Sequence, residues 1–197
     1  MHPLAQAALI DPTICFKHTH DRHNESGYKE YVCHAAAVHW ALVALGKTGP
    51  QAEELIAALI RGVEQKAGKK PGEVTDPWQC YAPLFTTRTL FVHLPNNQLA
   101  AQCGVGDVII VGPPTRPEHS MIVVANTNGT VWIRGFNNFL TFGNTAAITP
   151  PQNAYDSLDR DLSTRASPHL NPIYRVHANM FMATVRHTFG QEVGATF

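Results

Sequence analysis

Between Tyr28 and Gly46 the residues Val32, Cys33, Ala35, Ala36, Ala37, Val38, Trp40, Ala41, Leu42, Val43, Ala44 and Leu45 are apolar nearly all round a helical turn. A surface helix needs only one apolar stripe, whereas a helix apolar on every side has to be buried on every side. The rest of the chain must then supply neighbours for all its faces. This predicts a core assembled around one central helix, whose alanines let those neighbours approach closely.

The flanking segments provide candidates. The turn Gly46-Lys47-Thr48-Gly49-Pro50 stops the central helix, and Pro50-Gln51-Ala52-Glu53-Glu54 opens another with proline and acidic residues in its first turn. Ala52, Leu55, Ile56, Leu59, Ile60 and Val63 then form a one-sided stripe, so this second helix packs on the outside. From Gly106 the character turns to β. Gly106 to Val111 reads as a strand, Pro113 to Pro117 as a rigid loop, and His119 to Ala125 with Thr130 to Arg134 as a hairpin. Its joining run Asn126-Thr127-Asn128-Gly129 ends in the Asn-Gly pair that favours tight turns. Residues 1–27 read as an irregular leader, Lys66 to Asp76 and Thr149 to Pro172 as loops, and Thr89 to Leu94 as a short strand. Ile173 to Phe189 has a period that does not choose between strand and helix, with strand favoured at its start. At 197 residues the expectation is a single α+β domain spanning 1–197, a buried N-terminal cysteine helix packed on an antiparallel sheet.

Composition narrows the function classes. With 44% hydrophobic and 15% charged residues the chain is neither disordered nor fibrous, and fifteen basic residues balance fifteen acidic ones, which leaves no global field for nucleic acid. No stretch approaches the ~20 apolar residues of a membrane span, and the start lacks the features of a secretory signal, so the chain is expected to be made as a cytoplasmic protein with no membrane span. Four cysteines at unpaired spacings (Cys15, Cys33, Cys80, Cys103) read as thiols rather than a disulfide framework.

A cysteine nucleophile works as a thiolate, and a helix amino terminus lowers its pKa and offers N–H groups to an oxyanion. Cys33 lies in the opening turns of the central helix. The thiolate also needs an imidazole, itself oriented by an amide or carboxylate. His119 opens one hairpin strand and Asn137 follows the other, so the turn brings an amide and an imidazole to one edge of the sheet; a one-residue register change would substitute Asn138. Asp156, Asp159 and Asp161 are carboxylate alternatives. His34 and His39, on or near the same helix as Cys33, compete for the base role or serve as hydrogen-bonded core groups. Cys80 is the rival nucleophile, and neither Cys15 nor Cys103 begins a credible helix. Cys15, His18, His20 and His23 have ligand-type side chains, but all four fall in one short stretch, whereas a structural zinc site pairs two separated clusters. Solvated loop histidines are the preferred reading, with no metal or cofactor expected.

Cys33 on a buried helix, followed by the hairpin His119-Ser120-Met121-Ile122-Val123-Val124 and Val131-Trp132-Ile133-Arg134-Gly135-Phe136-Asn137, resembles the papain-like cysteine hydrolases, in which the order is cysteine, histidine, asparagine or aspartate. The Gly106-to-Val111 strand before the histidine is similar to that of bacterial cell-wall cysteine amidases, and Tyr31 to Trp40 resembles the cysteine helix of YopT-like effector peptidases. The likeness spans about half the chain. No glutamine stands just before Cys33, where papain itself has one, and the Cys-Gly-Ser-Cys-Trp signature is absent, so an oxyanion donor must be Asn24 or backbone N–H groups alone.

The resemblance implies a cysteine-dependent amide hydrolase, a peptidase or a Gln/Asn deamidase, of the kind bacteria secrete without a signal peptide into a target cell. Its substrate would be a protein there, and an immunity protein or chaperone is a conceivable partner. The alternatives are a peptidoglycan amidase or endopeptidase, and a non-catalytic, zinc-bearing interaction module.

Overall fold

The computed structural model describes residues 1–10, 32–70, 78–85, 92–93, 99–112, 119–127, 130–135, 156–157 and 173–197. In chain order the elements are α1 (Pro3–Ile10), α2 (Val32–Ala44), α3 (Gly49–Lys66), α4 (Trp78–Phe85), β1 (Val92–His93), α5 (Leu99–Gln102), β2 (Val108–Val111), β3 (His119–Thr127), β4 (Thr130–Arg134), β5 (Asp156–Ser157), β6 (Ile173–Val176) and α6 (Ala178–Val193). The architecture is α+β, with every strand pairing antiparallel in the order β1-β6-β2-β3-β4-β5.

The central helix is buried as its composition requires. Ala35, Ala36, Ala37, Val38, Ala41 and Leu42 are fully buried, and α2 packs on α1, α3, α6 and β3. Strand alternation divides the sheet between two cores. Val108, Ile110, Ile122, Val124 and Val176 face the helices, whereas Ile109, Val111, Met121, Val123, Val131, Ile133 and Ile173 join Cys103 on the opposite side. Both faces being covered, β2 is buried at all four residues and reads as a continuous apolar run.

Several expectations need correction. Residues 3–10, read as part of an irregular leader, form α1, with Leu4, Ala5 and Ala8 fully buried. The remaining leader residues, 11–27, lie outside the described residues. The α3 helix starts at Gly49, so Glu53 and Glu54 fall beyond its first turn. Its start is instead a capping box: the Thr48 hydroxyl accepts the Gln51 N–H while the Gln51 side chain accepts the Thr48 N–H. Residues 156–157, placed in a loop, form the edge strand β5, and the helices α4 and α5 form at Trp78–Phe85 and Leu99–Gln102, where no helix was expected. The segment from Ile173 to Phe189 is strand and then helix, which is why one period did not fit it.

The junction between β6 and α6 is held from β2's side. Asp107, almost fully buried, accepts the Gly104 N–H through Oδ2 at 2.8 Å and the Ala178 N–H through Oδ1 at 3.1 Å, where His177 at the helix cap makes no side-chain cap of its own. A carboxylate there also complements the partial positive charge of the helix start. Arg175 and His177 approach the same carboxylate at 3.9 and 3.4 Å. Asp107→Ala is expected to destabilise the fold by about 3 kcal/mol, because two N–H groups lose a charged acceptor worth roughly 1.5 kcal/mol or more each; urea unfolding measures it.

Candidate active site

Cys33 is the second residue of α2 and fully buried. At that position it lies in the first turn of the helix, the end that carries its partial positive charge. Its neighbour His34, also fully buried, meets the Ser120 hydroxyl through Nδ1 at 2.9 Å. The His34 ring also packs against Phe85, their centroids 5.0 Å apart, and Phe85 in turn against Phe181 at 5.2 Å. The start of α2 is thereby pinned to the start of β3 on one side and to α4 and α6 on the other.

His119 is the first residue of β3 and 1% exposed. It pairs with Val111, and Ser120 pairs with Ile110. Directly opposed residues share a face, so Ser120 faces the helices with Ile110 and His119 faces the other core with Val111. His119 therefore lies on the sheet face opposite the one that packs on the helices. The imidazole leans over the end of β4: a β-carbon built on Gly135 would stand 3.1 Å from His119 Nε2.

One competitor is displaced. His39 is held by Glu53 of α3, Nε2 to Oε1 3.4 Å, with both side chains buried, and lies six residues or about 9 Å of helix rise beyond Cys33. Asp156 pairs with Ile133, which pairs with Val123, four residues along β3 from His119. Position 156 is therefore about 13 Å along the strand direction and two strands across from position 119. Asn137, Asn138, Asp159, Asp161 and Asn24 lie outside the described residues, as do Cys15, His18, His20 and His23. Among the described residues no three His, Cys, Asp or Glu side chains form a metal-binding group.

Of the remaining thiols, Cys80 is the third residue of α4. Cys103 closes on the Asp107 end of the sheet, far along β2 from His119. Burial pushes its thiol up to about 11, the Asp107 carboxylate adds to the rise, and Arg175 opposes it. A thiol so held is protonated near neutrality and a poor nucleophile. The Ser120 clasp and Gly135 were not singled out from sequence.

Neither protein-family models, nor curated proteins, nor solved structures give a match to this chain.

Ser120→Ala should cost about 1–3 kcal/mol in urea unfolding, the range for a buried hydrogen bond broken from one side. Cys103 supplies a pH test. The folded chain holds its proton more tightly than the unfolded one, so stability is intact below the ordinary value of 9.0 and falls as pH rises toward about 11. Thermal melts should show that decline, and show less of it in Cys103→Ala.

Proposed function

We propose that the chain is a cysteine-dependent amide hydrolase of papain-like architecture, with Cys33 as nucleophile, His119 as general base and Asn137 as the residue that orients the imidazole. The observation that carries this reading is the 2.9 Å contact between His34 and Ser120. It fixes the residue after Cys33 against the residue after His119, so the two reactive groups flank a single buried clasp although 86 positions separate them in sequence. His34 is the clasp and not the base: neighbouring residues on a helix diverge by about 100°, which turns the His34 ring away from Cys33.

In this reading the Cys33 thiol gives its proton to His119, and the thiolate attacks the amide carbonyl carbon. The oxyanion that forms is held by N–H groups at the start of α2. Collapse breaks the C–N bond, and the imidazolium of His119 protonates the departing amine or ammonia. His119 then takes a proton from water, whose oxygen attacks the thioester; the C–S bond breaks and leaves a carboxylic acid and the thiolate. Peptide cleavage and Gln/Asn deamidation share these steps. The resemblance to YopT-like peptidases supports a protein substrate in a target cell, reached by a secreted bacterial effector; peptidoglycan is the alternative substrate.

The test is the rate of iodoacetamide labelling with mass mapping between about pH 4 and 9. Selective labelling of Cys33 with an apparent pKa well below the ~8.5 of an ordinary thiol, lost in His119→Ala and kept in His34→Ala variants that fold, is the expected result. Labelling without a low pKa, or a low pKa indifferent to His119, removes the catalytic assignment.

A further inference from the structure

We infer that Gly135 is a positioning residue, a glycine because the His119 imidazole occupies the space a side chain would need. The inference rests on the hydrolase reading and extends it. Gly135 follows β4 directly and is not among the glycines with positive φ, which are Gly46, Gly68, Gly106, Gly112 and Gly194. Its backbone therefore places no demand on residue type, unlike a turn glycine. Space does. A β-carbon there would stand 2.9 Å from Met121 Cγ, 3.1 Å from His119 Nε2 and 3.2 Å from the Ser120 carbonyl oxygen.

None of these neighbours yields freely. The carbonyl oxygen belongs to the β3 backbone, and Met121 is fully buried, its Cγ near the root of the side chain. The imidazole is 1% exposed, and its nearest atom is Nε2, one of the two ring nitrogens able to take a proton. The flat stretch of backbone at Gly135 thus sets how far the ring can lie over β4. Even one methyl at this position presses the ring away from the end of β4, with no change made to Cys33 or His34.

The experiment compares Cys33 labelling against pH in the full-length wild type, Gly135→Ala and His119→Ala. In Gly135→Ala the apparent thiol pKa is expected to move toward that of His119→Ala, and labelling at pH 6 to fall about tenfold for each unit of rise. The Met121→Ala background separates this from loss of packing: there the thermal cost of Gly135→Ala should shrink while the thiol shift persists. A wild-type thiol profile in folded Gly135→Ala, with His119→Ala still abolishing the low pKa, overturns the role of Gly135 and leaves the hydrolase intact. A profile indifferent to His119 overturns the hydrolase, and the inference falls with it. Should Gly135→Ala fold in neither background, the wild type still decides: the Gly135 amide resonance must titrate with the His119 ring and cease to do so in folded His119→Ala, and a Gly135 resonance indifferent to that ring overturns the inference.

Discussion

The structure depends on burying α2 on all sides. A helix of about 20 Å has only as many faces as its neighbours can reach, and here α1, α3, α6 and β3 take them. Small side chains make that crowding feasible, because Ala35, Ala36, Ala37 and Ala41 keep the helix narrow. The requirement propagates outward. It calls for an amphipathic α3 whose one stripe is shared between α2 and α6, and for a helix-facing half of the sheet made of Val and Ile. Deleting any partner would expose apolar surface that nothing else covers, at roughly 25 cal/mol for each Å².

The sheet answers with two buried faces, and its alternation decides which residues can meet. Ser120 and His119 are neighbours in sequence and lie on opposite sides. A bulge between Val123 and Ala125 then shifts the register of β3, so that Asn126 opposes Val131 and its side-chain amide donates to the Cys103 carbonyl at 2.8 Å. The same strand thus delivers polar groups to the helix side at one end and to the opposite core at the other. Burial first, and the Asp107 carboxylate second, keep the Cys103 thiol protonated, whereas Cys33 stands in the first turn of a helix.

The parts of this arrangement legible in sequence are those with a strong local cause. The all-round apolar run fixed α2, the one-sided stripe fixed α3, and alternation around Asn-Gly placed β3 and β4. Short elements were missed for a physical reason: α1 has eight residues and β5 two, too few for a period to register, and each is stabilised by what it packs against. The capping box was missed because helix starts are weakly specified, and a one-residue move of the boundary changes which side chain is the cap. Long-range polar pairs were the least legible. Nothing near His34 announces Ser120, 86 positions away, and nothing near Ala178 announces Asp107. The candidate site was legible as residue types, Cys33 and His119, and not as the face each would occupy.

Those long-range pairs settle a question that apolar packing leaves open. An alanine-rich helix presents nearly the same smooth surface in several orientations, so burial alone specifies its rotation poorly. Two polar side chains remove that freedom. His34 reaches the sheet at Ser120, and His39 reaches α3 at Glu53. Five residues apart, they point about 140° away from each other around the helix axis. A turn of one residue position, about 100°, would break both contacts and bury two imidazoles and a carboxylate against alkyl groups, at a cost of a few kcal/mol for each unpaired group. Rotation about the axis is thereby fixed, and with it the direction of Cys33, one residue before the first clasp. Helix rotation of this kind is hard to set with methyl groups and easy to set with polar contacts. The polar residues in the most apolar helix of the chain are therefore explained by the need to aim what lies beside them.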